Sequence, residues 1–203
     1  MAEVIIVPEG GMRRNMRVEA GQRADMVLVV MPGVSCDVAL DVTLAGEGAE
    51  ANIYGAYICG GEEKVKIGVD MHHDVPHCNS RQLFKGIAGG NSRVDFYGKI
   101  IVAPDAQRTE AYQENHNILL SDDARVDTKP QLEIYADDVK CSHGATIGRL
   151  NEEEQFYMRS RGITLEDAKV LQMISFLAPV LEAIPEAERE SMADQIETAI
   201  RNI

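Results

Sequence analysis

From residue 4 to about residue 147 the chain alternates short β-rich runs with turns rich in Gly, Asn and Asp. The clearest runs are 26–30, 38–44, 64–69, 96–102 and 132–135, and this part has no convincing helical periodicity. Many short strands can form a sandwich, a barrel or a β-solenoid. Two similar runs within 84–107 meet at a Gly-containing corner and favour a solenoid, although no regular repeat period is visible.

Helical signals begin after residue 150. Asn151, followed by three glutamates, is a typical N-cap, and Gly162 should end that short helix. Thr164 opens a second helix with a Ser/Thr-x-x-acid capping pattern, which Pro179 should kink or split, and Pro185 suits the first turn of a third helix. The expected apolar positions of the last two helices are Val170, Leu171, Ile174, Leu177, Leu181, Ile184, Met192, Ile196 and Ile200.

Composition is compatible with one domain and an appendage. A chain of 203 residues with 45% hydrophobic content can bury a substantial core. We therefore expect a β-type core over 1–150 and a helical region over 151–203. The formal net charge of −13 leaves no basic stripe for phosphates, so we expect no nucleic-acid binding.

The sequence also bears on the compartment. It has no cationic start followed by a long apolar run and no 18 consecutive apolar residues, so we expect no secretion signal and no membrane span. Cys36, Cys59, Cys78 and Cys141 are widely spread and are expected to stay reduced. We expect a cytoplasmic protein.

Cys141 and His143 are the first candidates for chemistry. They are two positions apart, so in an extended backbone both side chains point to the same face. Thiolate and imidazole suit iron–sulfur clusters or zinc, and one strand can supply two ligands of a shared site but not all four. The alternative is a buried cysteine beside a hydrogen-bonded histidine.

A second candidate group is His72, His73, His77 and Cys78. His73 and His77 are four apart, a spacing that binds zinc on a helix, but Pro76 and the β-rich surroundings argue against a helix. The segment is therefore either a polar corner whose side chains form hydrogen bonds with neighbouring stacked turns, or a second metal or sulfur-handling site.

Two stretches carry a family resemblance: residues 130–146, PQLEIYADDVKCSHGAT, and residues 156–162, FYMRSRG. They resemble the signature of the SufB/SufD family, on the SufD side, whose members are scaffolds for iron–sulfur cluster assembly. The resemblance runs from about residue 71 to residue 184. It implies a mainly β fold, a right-handed parallel β-helix with a short C-terminal α-helical region. Typical members carry a helical region before the β-helix, and we expect a short form that lacks it.

The resemblance also implies a site and partners. His143 corresponds to the residue associated with a transient iron–sulfur cluster at the interface with a SufB-like subunit, and Cys141 lies beside it. Ala124 and Gly144 stand where SufB-like chains carry a cysteine and a glutamate, so the missing ligands should come from that partner. A dimer, with a SufB-like subunit or with itself, is expected through the last β-strands.

Nucleotide chemistry is expected elsewhere. No Gly-x-x-x-x-Gly-Lys-Ser/Thr loop occurs, so this chain should bind no nucleotide. In the family, ATP is used by a separate SufC-like ABC-type ATPase that docks on the C-terminal helical region, and we expect that contact at Phe156, Tyr157, Arg159 and Arg161. The resemblance thus implies a non-enzymatic scaffold. The alternative is a β-helix metalloenzyme, a hydrolase or lyase, that uses the group from His72 to Cys78 without a partner.

Overall fold

The computed structural model describes residues 2–203, which form eleven β-strands followed by three α-helices. In chain order the elements are β1 (Glu3–Ile6), β2 (Gly10–Val18), β3 (Arg23–Val30), β4 (Cys36–Leu44), β5 (Glu50–Cys59), β6 (Lys64–His73), β7 (Asn79–Ala88), β8 (Arg93–Val102), β9 (Glu110–Leu119), β10 (Arg125–Ile134), β11 (Lys140–Gly148), α1 (Glu152–Ser160), α2 (Leu165–Leu181) and α3 (Glu186–Arg201).

The strands form two parallel sheets. Each strand pairs with the strand two places along the chain, so the odd-numbered strands make one sheet, in the order β1-β3-β5-β7-β9-β11, and the even-numbered strands make the other, in the order β10-β8-β6-β4-β2. A chain that alternates between two parallel sheets in this way is a β-solenoid, here of about five turns. The predicted solenoid with a C-terminal helical region is confirmed.

The turns of the solenoid differ in length. Arg23 pairs with Glu50, Glu50 with Asn79, Asn79 with Glu110, and Glu110 with Lys140. Subtracting those residue numbers gives successive turns of 27, 29, 31 and 30 residues. Because the loops absorb these differences, the sequence shows no fixed repeat period even though the strands are in register.

The even-numbered sheet has one buried face. Along β4, β6 and β8, fully buried residues alternate with residues that are exposed or half-buried. Inward-facing side chains such as Val42, Met71 and Ile100 are completely buried. Each contributes about 1.5–3 kcal/mol relative to an exposed side chain.

The odd-numbered sheet is buried on both faces where the helices cover it. Val27, Val29 and Ile58 point away from the solenoid interior and pack with α2 and α3. This second core explains why the last five residues of β3 and of β5 are all buried rather than alternating. The helices thus lie on the outer face of one sheet and leave the other sheet uncovered.

The ends of the helices follow the sequence signals. The Asn151 side chain accepts hydrogen bonds from the backbone N–H groups of Glu153 and Glu154, and Thr164 caps α2 through the N–H of Asp167. Gly162 follows α1 with φ +90°, a conformation that glycine adopts without strain.

Two details of the helices differ from expectation. Pro179 lies inside α2, which is not split and ends two residues later, and Pro185 is the N-cap of α3 rather than a residue of its first turn. Leu171 is 48% exposed and Met173 is buried in its place. The prediction for Leu171 was wrong because several adjacent apolar residues made the buried stripe ambiguous by one position.

The last turn of the solenoid is open. Among residues 2–203, β10 pairs only with β8, and β11 pairs only with β9. Pro130 in β10 suits an edge strand, because proline cannot donate to a further ladder. β11 contains no proline, and its free side presents backbone groups to which another strand can pair.

Candidate functional site at the open end of the solenoid

Cys141 and His143 lie together on the outermost strand of the odd-numbered sheet. In β11, Cys141 is in register with Ala111 and His143 with Gln113, and both of those β9 residues face the solenoid interior. The two candidate ligands therefore share the inward face of a turn that no further turn covers. Cys141 is half-buried against the core, whereas His143 is exposed.

The environment of Cys141 keeps its thiol protonated. Burial raises the pKa of Cys141 above its ordinary value, and a hydrogen bond from the backbone of Ala111 only partly opposes that shift. Cys36, Cys59 and Cys78 are fully buried. Cys141 is thus the most accessible of the four thiols, and it needs a nearby cation to become a thiolate.

The solenoid interior becomes polar on the wall that leads to this site. Gln113 donates from Nε2 to Gln82 Oε1 at 2.9 Å, and both side chains are completely buried. Asn115 donates to the Tyr57 hydroxyl at 3.0 Å, and Asn117 donates to Asn115 Oδ1 at 2.8 Å. The Tyr57 hydroxyl also donates a short hydrogen bond to Asn117 Oδ1.

Two glycines make room for these polar side chains. A Cβ atom at Gly98 would lie 2.0 Å from Gln113 Nε2, and one at Gly86 would lie 1.9 Å from the Tyr57 ring. This buried polar wall was not predicted from the sequence. Its one sequence signal is the spacing of Gln113, Asn115 and Asn117 at alternate positions, which ordinarily indicates an outward, solvated face.

The second candidate group is dispersed. His72 lies on the outer face of β6, 3.8 Å from Asp41, whereas His73 points inward and is fully buried. His77 is exposed in the following corner with φ +60°, and Cys78 is buried with its thiol donating to the Gly46 carbonyl at 3.4 Å.

The buried His73 has a structural partner. Its Nε2 is 2.8 Å from Ser80 Oγ, and burial lowers its pKa to about 4, so the ring is neutral. Within residues 2–203, no group of three or more His, Cys, Asp or Glu side chains is arranged to hold a metal ion.

The residues expected to contact an ATPase lie on α1 and just beyond it. Phe156 is 74% exposed and Tyr157 is 60% exposed. The Arg161 guanidinium lies 5.4 Å from the centre of the Tyr157 ring and also donates to the Tyr157 hydroxyl. Arg159 is exposed in the last turn of the same helix.

A groove adjoins these exposed aromatic residues. It has a volume of about 1030 Å³ and lies between α1, α2 and the end of β9. Its apolar lining includes Ile118, Leu150, Met158, Leu171 and Phe176.

None of the helices within residues 2–203 has the length and apolar character needed to span a bilayer.

Comparison with known proteins gives a consistent result. The family model described as "SUF system FeS cluster assembly, SufBD core domain" matches residues 12–176. The iron–sulfur cluster assembly protein SufD of Escherichia coli K12 is 51% identical over 114 residues, which is 56% of this chain and 27% of that protein. Protein ABCI7, chloroplastic, of Arabidopsis thaliana is 40% identical over 138 residues, 68% of this chain and 29% of that protein.

A longer match covers more of the chain at lower identity. An iron–sulfur cluster assembly SufBD family protein of Mycobacterium leprae is 31% identical over 177 residues, 82% of this chain and 45% of that protein. The chain thus spans less than half the length of each of these three relatives.

Proposed function

The chain belongs to the SufBD core family of the SUF iron–sulfur cluster assembly system, and from that premise we propose that it is a SufD-like scaffold subunit, not an enzyme. The cluster is its cargo, held transiently by His143 and Cys141 together with ligands from a SufB-like partner. The reducing conditions that a thiolate site requires favour the cytoplasm as its compartment.

One observation carries the proposal: a cysteine and a histidine stand side by side on an exposed edge strand. Two such side chains make half of a four-ligand site, and their open position allows a second protein to supply the rest. Ala124 is 1% exposed and Gly144 has no side chain, so neither adds a ligand.

The free side of β11 is the proposed contact with the SufB-like subunit. Its backbone groups can pair with an edge strand of the partner, and main-chain hydrogen bonds of this kind give affinity without requiring a large apolar patch. Pairing there covers the open last turn and brings partner ligands to Cys141 and His143. A second copy of this chain would meet the same edge but would bring only the same two ligand types.

The proposed contact with a SufC-like ABC-type ATPase is the surface formed by Phe156, Tyr157, Arg159 and Arg161. Exposed aromatic and arginine side chains are the residues that most often dominate binding energy at protein interfaces. ATP-driven movement of the docked ATPase would then open or close the β11 interface. Such control suits a thiol that must meet iron and sulfide while avoiding oxidation.

Charge reversal tests the ATPase contact. The double variant Arg159→Glu, Arg161→Glu should weaken binding of the ATPase at least about tenfold, because two anchors are lost and repulsion is added. The measurement is a titration of purified ATPase against the immobilised chain. Arg13→Glu combined with Arg17→Glu, on the exposed strand β2, is the matched control, and equal binding by both double variants would move the contact elsewhere.

The experiment for the whole proposal is an anaerobic affinity purification of the tagged chain from its native cytosol. Bound proteins are identified by mass, and the eluate is assayed for iron and acid-labile sulfide. Recovery of an ABC-type ATPase and a second β-solenoid subunit supports the scaffold. A chain that elutes alone with stoichiometric zinc contradicts it and favours a metalloenzyme.

A further inference from the structure

A buried ladder of amides leads through the interior to His143. Gln82, Gln113 and His143 occupy the same register position on three neighbouring strands, β7, β9 and β11. Paired residues of parallel strands lie on the same face about 4.8 Å apart. The Gln113 amide donates to Gln82 at 2.9 Å. The N–H donor therefore points from the later turn, which holds Gln113, toward the earlier turn, which holds Gln82.

Both ends of the ladder carry an unsatisfied atom, Gln82 Nε2 at the β7 end and Gln113 Oε1 at the end that faces β11. Gln113 Oε1 is buried and has no hydrogen-bond partner among residues 2–203. In a stack of amides each side chain donates toward one neighbour and accepts from the other. Because Gln113 donates toward Gln82, its oxygen is left to accept from the following turn, where His143 stands.

The position of the Gln113 amide is built into the fold. A Cβ atom at residue 98 would lie only 2.0 Å from Gln113 Nε2. Glycine at that position leaves the space open for the amide. The amide is therefore held between the Gly98 backbone and Gln82. His143 is exposed, and rotation about its side-chain bonds can bring a ring N–H to the waiting oxygen.

We propose that Gln113 is a positioning residue for His143. Its Oε1 accepts the N–H of one ring nitrogen, which fixes a single tautomer and turns the lone pair of the other nitrogen toward the open end. Metal-binding histidines commonly donate their second ring N–H to a fixed acceptor in this way. The inference rests on the proposed role of His143 as a cluster ligand and names the residue that orients it.

The test reads the tautomer of His143 directly in the full chain. Nitrogen chemical shifts are measured on protein labelled with 15N-histidine at about pH 8, where ordinary imidazoles are neutral, and His143→Gln identifies the signals. In the wild type we expect one dominant tautomer of His143. Gln113→Met keeps the side-chain length but removes the acceptor, and it should shift the tautomer ratio to that of histidine in an unstructured peptide.

Two further variants make the test specific. Thr128→Val removes another buried oxygen without a partner among the described residues, on the facing strand β10, and should leave the tautomer unchanged. Gln82→Met removes the acceptor that orients Gln113 and should shift the ratio in the same direction as Gln113→Met, by less. A peptide-like ratio in the wild type, or an equal response to Thr128→Val, would overturn the proposal.

A second readout separates this inference from the proposed function. In the complex with a SufB-like subunit, Gln113→Met should lower the affinity for iron about tenfold, the effect typical of losing such a hydrogen-bond partner. If His143→Ala leaves iron loading normal, the ligand role fails whatever the tautomer does. If His143→Ala abolishes loading while Gln113→Met changes neither tautomer nor affinity, only the positioning role fails.

Discussion

Cys141 and His143 differ in how readily each can bind a metal. The raised pKa of Cys141 keeps its thiol protonated, so binding of iron must displace a proton. His143 is exposed, and its ring is free to turn. Under the proposed function, the pair would therefore bind little metal in the isolated chain and would act as ligands once a cation and partner ligands are present. This difference also protects the thiol, because the thiolate is the form that oxidises.

His73 supplies a prediction for stability against pH. Its pKa is lowered to about 4 in the fold from an ordinary 6.5, mainly by burial and slightly by the neighbouring His72. The unfolded chain therefore binds the proton more readily, so the stabilisation is complete above about pH 6.5 and is lost as the pH falls toward 4, for a total of about 3 kcal/mol.

Urea unfolding of the wild type and of His73→Gln between about pH 7 and pH 4.5 measures this contribution. The amide can still bond Ser80 but does not titrate. We expect the variant to lose clearly less stability than the wild type over that range. Parallel pH profiles would show that His73 does not govern the acid sensitivity.

Individual residues also mark what the sequence could and could not reveal. The alternation around Cys141 and His143 was enough to predict that both side chains share one face. The inward positions of Gln113, Asn115 and Asn117 were hidden, because polar residues at alternate positions normally face water. They are tolerated inside because each takes part in a hydrogen bond that crosses between turns, and those partners lie 31 to 60 residues away.

Strands and their turns explain how the polar wall is accommodated. Successive rungs place large and small residues against each other, so Tyr57 lies over Gly86 and Phe84 over Gly55. The glycines thus serve packing as well as backbone freedom. The paired runs within 84–107 predicted one corner of the solenoid correctly, as β7 and β8. The number of turns and their register could not be read from the sequence, because the loops differ in length.

Gly86 and Gly68 provide a matched test of this packing. Gly86→Ala would place a methyl group 1.9 Å from the rigid Tyr57 ring and should lower the free energy of unfolding by about 1–3 kcal/mol. Gly68→Ala, on strand β6 of the other sheet, meets only the Val38 carbonyl at 3.7 Å and should be neutral or slightly stabilising. Denaturant unfolding measures both, and equal effects would contradict the assigned packing.

The whole molecule carries two separate exposed regions, one on the helices and one at the open last turn of the solenoid. The helices cover one sheet and carry the exposed aromatic surface of α1, while the open last turn carries Cys141 and His143. α2 packs on β5 and β7 of the odd-numbered sheet, the sheet that also contains β11, so under the proposed function a movement of the helical region by an ATPase would be passed on to the sheet that carries Cys141 and His143. The family resemblance predicted a β-solenoid followed by C-terminal helices. It did not reveal the amide ladder beneath His143, because that depends on inter-turn register.

The most direct test of the scaffold account is the amount of iron and acid-labile sulfide bound under anaerobic conditions. It compares the isolated chain, the SufB-like subunit alone, the complex, and the complex carrying His143→Ala. We expect little iron on the isolated chain, a cluster on the wild-type complex, and a large loss in the His143→Ala complex despite normal subunit association. A wild-type cluster yield in that variant, or a full cluster on the isolated chain, would contradict a site shared between subunits.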